Sequence, residues 1–349
     1  MVPDFSSAGL PTNIVLFATA AIVVWIAGTK IAKYADQIAE RTGLGQAMMG
    51  LFLLAGVTSL PEIATSFTAA AANDADLAVN NLLGSIAMQV AVLAVADLIY
   101  GKRALTSVVP DPVVMLQGSL NICLLTFVAI AAIIGDVAVL SAGAWTWALL
   151  FGAVYSFRKL FEAKGRQPWV ANIDEKAKEQ SRSNHVKSDS SAVMLGVKTA
   201  LSAAAILLAG FIVARTGEVI ATQTGIGSSF MGVAFVAIAT SLPEASTVFA
   251  AMRLRLYTMA ISDILGTNIL NVALLFGVDV VAQGEPVLSR TGDFAAVGAM
   301  LGVAVTGLFL MGLAERRDRT IWRMGVDSAF VLATYIGGLI VLYSLRGGT

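Results

Sequence analysis

Two glutamates, Glu62 and Glu244, stand inside apolar runs, and each closes the same pentapeptide, Thr-Ser-Leu-Pro-Glu. A carboxylate at bilayer depth costs at least about 2.5–3.5 kcal/mol on insertion scales, so it normally faces a partner or a wet cavity. Pro61 and Pro243 lack an N–H and displace the turn before them. That frees carbonyls near Val57–Thr58 and Ala239–Thr240, which are tolerated at such depth only around a cavity. Thr58, Ser59, Thr240 and Ser241 add hydroxyl oxygens. Carboxylate, carbonyl and hydroxyl oxygens suit a hard cation such as Ca²⁺ or Na⁺. Softer metals would want thiolate or imidazole. The one cysteine, Cys123, lies in an apolar run as an expected small core residue, and the one histidine, His185, lies in the most polar segment.

The next apolar run of each half carries a second polar strip. Ser85 and Gln89 are four residues apart, as are Thr267 and Asn271, so each pair shares a helix face. Asn81 and Asp263 stand one turn earlier, while Gly84 and Gly266 allow close helix approach. Asp97 and Asp279 fall near helix ends and read as interfacial.

A shift of 182 residues superposes these features without a gap. It sets Thr42–Gly50 on Thr224–Gly232, Thr58–Glu62 on Thr240–Glu244, Gly84-Ser85 on Gly266-Thr267 and Asp97 on Asp279. The chain is therefore an internal repeat, and the two glutamates are counterparts within it.

The elements that position these residues are membrane helices. The chain has 349 residues, 57% hydrophobic and 13% charged, which is too apolar for a soluble globular protein. Its formal net charge of zero offers nucleic acid no basic surface. Apolar runs predict ten spans at about 11–31, 46–70, 77–99, 112–134, 138–157, 193–213, 229–251, 257–281, 293–313 and 325–345. The expected fold is an all-α polytopic membrane protein with a five-helix repeat over 1–157, a linker over 158–192 and a second five-helix repeat over 193–349. Five spans per half is an odd number, so the second copy enters the bilayer inverted, with broken helices at the centre. Basic residues alternate with the loops: Lys30, Lys33, Arg41, Lys102, Arg103, Arg253, Arg255 and Arg316 all fall on one side, with the linker. The positive-inside rule makes that side cytoplasmic and puts both termini outside. The polar linker itself reads as solvated chain.

The repeated Thr-Ser-Leu-Pro-Glu, each copy followed after about twenty residues by Gly-Ser or Gly-Thr, resembles the α-repeats of the calcium/cation antiporter superfamily, which includes the sodium/calcium exchangers. The resemblance implies a compact prokaryotic exchanger in the cell membrane, handling Ca²⁺ and Na⁺ or H⁺ and needing no cofactor. It implies ion ligands at Glu62, Glu244, Thr58, Ser59, Thr240, Ser241, Ser85, Thr267, Gln89 and Asn271. Two departures stand out. The central pair, usually Asn or Asp, is Gln89 and Asn271, and Ile86 replaces the asparagine that Asn268 keeps in the second copy. The Gly-Asn-Ala-x-Glu motif of the proton-coupled branch is absent, so Ca²⁺/Na⁺ exchange is favoured over Ca²⁺/H⁺ exchange. The implied partners are small cations and the lipid bilayer, and one chain suffices for the mechanism.

Other classes fit less well. A serine hydrolase would need a base in the membrane, and His185 lies in the linker. An aspartyl enzyme would need Gly-x-Gly-Asp, whereas Gly277-Val278-Asp279 lacks the second glycine. A passive channel needs a ring of filter ligands, usually from several subunits. If the two glutamates form one cation site, Glu62→Gln and Glu244→Gln should each abolish ion exchange in vesicles. Near-normal flux in both variants would rule that site out.

Overall fold

The computed structural model describes residues 5–100, 103–109, 111–165, 191–224 and 237–345. His185, most of the linker and the start of the expected seventh span lie outside them. Helix α1 spans Leu10–Thr42. A bent pair follows, α2 over Gln46–Thr58 and α3 over Leu60–Ala71, meeting at 45°. Then come α4 (Ala75–Tyr100), α5 (Val113–Ile134) and α6 (Ala144–Glu162). The second half has α7 (Ala192–Gln223), α8 (Leu242–Arg253), α9 (Tyr257–Val281), α10 (Gly292–Glu315) and α11 (Val326–Leu345).

Moved by 182 residues, α3 coincides with α8, and α1, α4, α5 and α6 fall on α7, α9, α10 and α11 to within a few residues. Even the two-stranded hairpins recur, Ala138–Val139 with Ala142–Gly143 and Thr320–Ile321 with Met324–Gly325. The repeat seen in the residues is thus a repeat of elements. Two helices related by it, α5 and α10, run antiparallel. Gly118 lies against Leu310, Gly307 against Ile122 and Gly302 against Leu125.

Among the described residues, seven helices are long and apolar enough to cross a membrane, or eight with the bent α2–α3 pair. Eight of the ten spans expected from the sequence are thus met among the described residues, with the bent pair counted as one. Helix α6 carries Trp145, Trp147, Tyr155, Arg158 and Lys159 and is not apolar enough. The seventh span is described only from Ala237 onward. Two other spans are longer than expected. Helices α1 and α7 have 33 and 32 residues, about 50 Å at 1.5 Å per residue against about 30 Å of hydrocarbon. Counting apolar residues ended α1 near Lys30 and Lys33, but nothing in those side chains stops a helix. Gly43, at φ 65° beyond the C-terminus of α1, does.

The break between α2 and α3 has a local cause. Pro61 sits in the first turn of α3 and offers no N–H to the Val57 carbonyl. Pro243 occupies the same position in α8. Upstream, Met49–Leu54 winds as a π-helix, which nothing in the residue pattern announces. The long helices lie across these broken points: Gly28 of α1 leaves room for Ser246 beside Pro243, and Gly210 of α7 leaves room for Pro61. Each long helix therefore braces the break in the opposite half. Gly266 also meets its expectation, since a Cβ there would lie 2.9 Å from the Leu51 Cα.

Two expectations are corrected. Cys123 is exposed, not part of the core. The buried face of α5 runs through Val114, Gln117, Asn121, Leu125 and Val128, and Cys123 points away from it. Apolar neighbours do not distinguish a lipid-facing residue from a core one. Asp97 and Asp279 do lie near helix ends, but they are enclosed, at 0% and 4% exposure. Asp97 accepts from Leu105 N (2.9 Å), Gly325 N (2.8 Å) and Ser328 Oγ (2.8 Å). Asp279 accepts from the counterparts of those three groups, Val287 N (2.8 Å), Gly143 N (2.6 Å) and Thr146 Oγ1 (2.7 Å). Two of each three donors come from the other half, so these carboxylates fasten the repeats together. Asp97→Ala and Asp279→Ala should each strip two buried backbone donors, at about 1–3 kcal/mol apiece. A clear fall in thermal midpoint of the detergent-solubilised protein would register it, and an unchanged midpoint would refute the strut.

Candidate cation site

Helices α4 and α9 are among the most enclosed in the molecule. They bring their polar strips to the starts of α3 and α8. Glu62 and Glu244 both fall in the first turns of those broken helices, where unpaired N–H groups and the helix dipole favour a negative side chain. All ten residues singled out from the sequence are completely buried: Thr58, Ser59, Glu62, Ser85, Gln89, Thr240, Ser241, Glu244, Thr267 and Asn271.

Glu62 is the hub. Its Oε1 accepts from Gln89 Nε2 at 3.1 Å and from Ser241 Oγ at 3.4 Å. Its Oε2 accepts from Asn271 Nδ2 at 2.9 Å. Gln89 belongs to its own half, whereas Ser241 and Asn271 belong to the other, so the site is a junction between the repeats. Gln89 and Asn271 are counterparts under the 182-residue shift, yet both amides turn to the same carboxylate.

Glu244 is left bare, with neither carboxylate oxygen accepting a hydrogen bond. The two glutamates are close enough to repel one another. Among the ten residues singled out from the sequence, the other unpartnered atoms are Gln89 Oε1, Thr267 Oγ1 and Asn271 Oδ1. The two amides are left with an oxygen because each spends a nitrogen on Glu62, and Thr267 adds a hydroxyl oxygen. The remaining hydroxyls also have their hydrogens engaged. Thr58 donates to Leu54 O (3.0 Å), Ser59 to Ala55 O (2.7 Å) and Ser85 to Asn81 O (2.8 Å). Each therefore keeps lone pairs to offer. Thr240 Oγ1 lies 3.3 Å from Ala237 O and 3.4 Å from Asn81 Oδ1. A buried constellation of oxygens without donors fits a hard cation. Among the described residues no three His, Cys, Asp or Glu side chains form a metal cluster. Any cation here would rely on two carboxylates and neutral oxygens.

One buried acid received no role in the sequence reading. Asp263, on α9 one turn before Thr267, is completely buried and accepts from Thr247 Oγ1. Its position in the repeat was visible, but the Thr247 contact that ties it to α8 was not. Asn268, the retained asparagine, has both amide atoms unpartnered, while Ile86 at the matching position belongs to the apolar core.

The geometry can be set beside known proteins. The chain matches the model of the family described as sodium/calcium exchanger protein over residues 12–160 and 195–344. It is 26% identical over 325 residues to the inner membrane protein YrbG of Escherichia coli K12, covering 86% of this chain and 96% of that one. It is 25% identical over 328 residues to CaxA of Alkalimonas amylolytica, whose antiporter designation is provisional, covering 93% and 96%. A solved structure of the sodium-calcium exchanger NCX_Mj, soaked with 100 mM Na⁺ and 10 mM Sr²⁺, superposes with a TM-score of 0.71 at 18% identity, over 95% of this chain and 99% of that one. That likeness is one of fold.

The hydrogen bonds rank the neighbours of Glu62. If the site takes Ca²⁺, Asn271→Ala, which removes a 2.9 Å donor and an oxygen together, should weaken its binding by roughly tenfold, about 1.4 kcal/mol. Ser241→Ala removes only a 3.4 Å contact and should cost less than about threefold. Titration calorimetry in detergent measures both, and the reverse order would refute the ranking. With two family repeats, broken helices and a buried two-carboxylate junction between its halves, this chain is an integral membrane protein of the sodium/calcium exchanger family, a family of cation antiporters and not of enzymes.

Proposed function

We propose that the protein exchanges Ca²⁺ for Na⁺ by alternating access around one site, in which Glu62 and Glu244 are the charged ligands. Thr58, Ser59, Ser85, Gln89, Thr240, Ser241, Thr267 and Asn271 complete the oxygen set. The observation that carries the reading is the bare Glu244 carboxylate, completely buried beside Glu62 amid oxygens that have no donor. An unpaired buried carboxylate is costly unless a counter-charge neutralises it.

Charge arithmetic then gives the exchange rule. Two carboxylates carry two negative charges, which one Ca²⁺ or two Na⁺ would balance. Both loads together would leave excess positive charge in a poorly screened interior, so the ions exclude each other. An empty site would carry two uncompensated charges across the barrier, which disfavours leak without counter-transport. The reading also takes the chain as ten spans in two inverted halves, with 158–192 cytoplasmic and both termini outside. Support comes from the antiparallel course of α5 and α10 and from the recurrence of α3 as α8. Inversion puts the two breaks back to back, so rocking one half against the other exposes the site to either side in turn.

Two protons could replace two Na⁺ in the same arithmetic, which makes the coupling ion the decisive measurement. Ca²⁺ uptake into proteoliposomes should follow an outward Na⁺ gradient at constant pH. Uptake driven by a pH gradient alone would overturn Na⁺ coupling and assign the same fold to Ca²⁺/H⁺ exchange. Uptake needing neither gradient would mean a passive pathway.

A further inference from the structure

Asp263 breaks the symmetry of the molecule. Its counterpart is Asn81, which is used from both ends: Nδ2 donates to Ser66 Oγ at 3.0 Å, and Oδ1 lies 3.4 Å from Thr240 Oγ1. At the matching place Asp263 engages only Oδ2, with Thr247, while Oδ1 has no partner and the adjacent Ser262 Oγ has none either. Asparagine is the residue that a purely structural role would favour here, since it could donate to Thr247 as Asn81 does to Ser66. An acid in its place has no such donor once ionised, and the ionised form adds a desolvation cost that a bound cation would offset.

Its surroundings connect it to the central site. Thr247 lies three residues beyond Glu244 on α8, and its one hydroxyl hydrogen is shared between Asp263 Oδ2 and the Glu244 carbonyl, which lies 2.9 Å from Oγ1. That places Asp263 along the same face of α8 as the bare Glu244 carboxylate. On α9, Asp263, Thr267 and Asn271 follow one another at four-residue intervals, about 6 Å per step. Each has a completely buried oxygen without a partner. In the matching strip of α4, Asn81 and Ser85 have their polar atoms engaged and only Gln89 keeps a free oxygen. The oxygen ladder is therefore complete, and carries an acid, in one half only. It descends from the end of α9 near Arg253 and Arg255, with Asp263 six residues, about 9 Å, inside that end.

We propose that Asp263, with the Thr247 hydroxyl and the free oxygen of Thr267, forms a second subsite for a hard cation, Na⁺ or Ca²⁺, between the central carboxylates and the Arg253–Arg255 side. The subsite stages the ion on one side of the membrane, the cytoplasmic side by the positive-inside rule, and has no charged counterpart on the other. This inference rests on the reading of the central site as the transported ion's site.

The test is Asp263→Asn, which keeps the shape of the side chain and supplies the donor that its counterpart uses. Exchange is measured in sealed vesicles of both orientations, titrating Ca²⁺ and Na⁺ separately on each side. The apparent affinity on the Arg253–Arg255 side should fall by roughly tenfold, while that on the opposite side stays within about twofold. Unchanged affinity on both sides overturns the subsite, and an equal fall on both sides makes Asp263 part of the central site. A change confined to the pH dependence, with cation affinities intact, makes its occupant a proton and also overturns the proposal. Adding Asn81→Asp to Asp263→Asn should move the asymmetry to the opposite side. If wild-type vesicles exchange neither ion, the transport reading fails, while calorimetry with CaCl₂ and NaCl still tests the subsite. Weaker binding by Asp263→Asn supports it, and identical isotherms refute it.

Discussion

The fold depends on the burial of one carboxylate. Glu62 can be enclosed at bilayer depth because three side chains from two halves of the chain donate to it. A hydrogen bond to a charged group contributes about 1.5–3 kcal/mol, enough for two or three of them to offset an insertion cost of about 2.5–3.5 kcal/mol. Glu244 has no such support. The molecule thus holds one carboxylate that the protein satisfies and one whose oxygens it leaves without a donor. That imbalance arises because both amides turn to the same side, although the backbone around them repeats.

Around that pair the architecture divides its labour. The long helices α1 and α7 brace the two breaks, each pressing a glycine against the opposite half near its proline. Asp97 and Asp279 fasten the far ends of α4 and α9 to the other half through reciprocal pairs of hydrogen bonds, one from a hairpin N–H and one from a hydroxyl of the helix that follows it. The bracing elements obey the repeat closely, whereas the polar side chains around Glu62 and Glu244 depart from it. Symmetry serves the scaffold, and the hydrogen bonding departs from it at Gln89 against Asn271 and at Asn81 against Asp263.

Much of this was legible before any coordinates. Thr-Ser-Leu-Pro-Glu, repeated after 182 residues, marked both breaks and both acids, because proline ends backbone pairing wherever it falls and a glutamate in an apolar run needs a reason. The strip spacing put Gln89 and Asn271 on the faces they occupy. Hydropathy was a poorer guide to ends and faces. It stopped α1 at its first lysines, put Cys123 in the core and left Asp97 and Asp279 in the interface. Apolar residues serve lipid and core alike, and a chain's neighbours in space are not its neighbours in sequence.

The sequence by itself determined which residues are acidic, where backbone pairing must break, that the two halves are copies and that the solvent is lipid. These follow from local chemistry: a missing N–H, a charge, a run of apolar side chains. Only the tertiary structure decided that both amides serve Glu62, that Glu244 stands bare and that Asp263 meets Thr247 beside it. Those facts depend on which side chains from residues about 16 to 209 positions apart meet in a space with no water to satisfy them, and no local pattern encodes that.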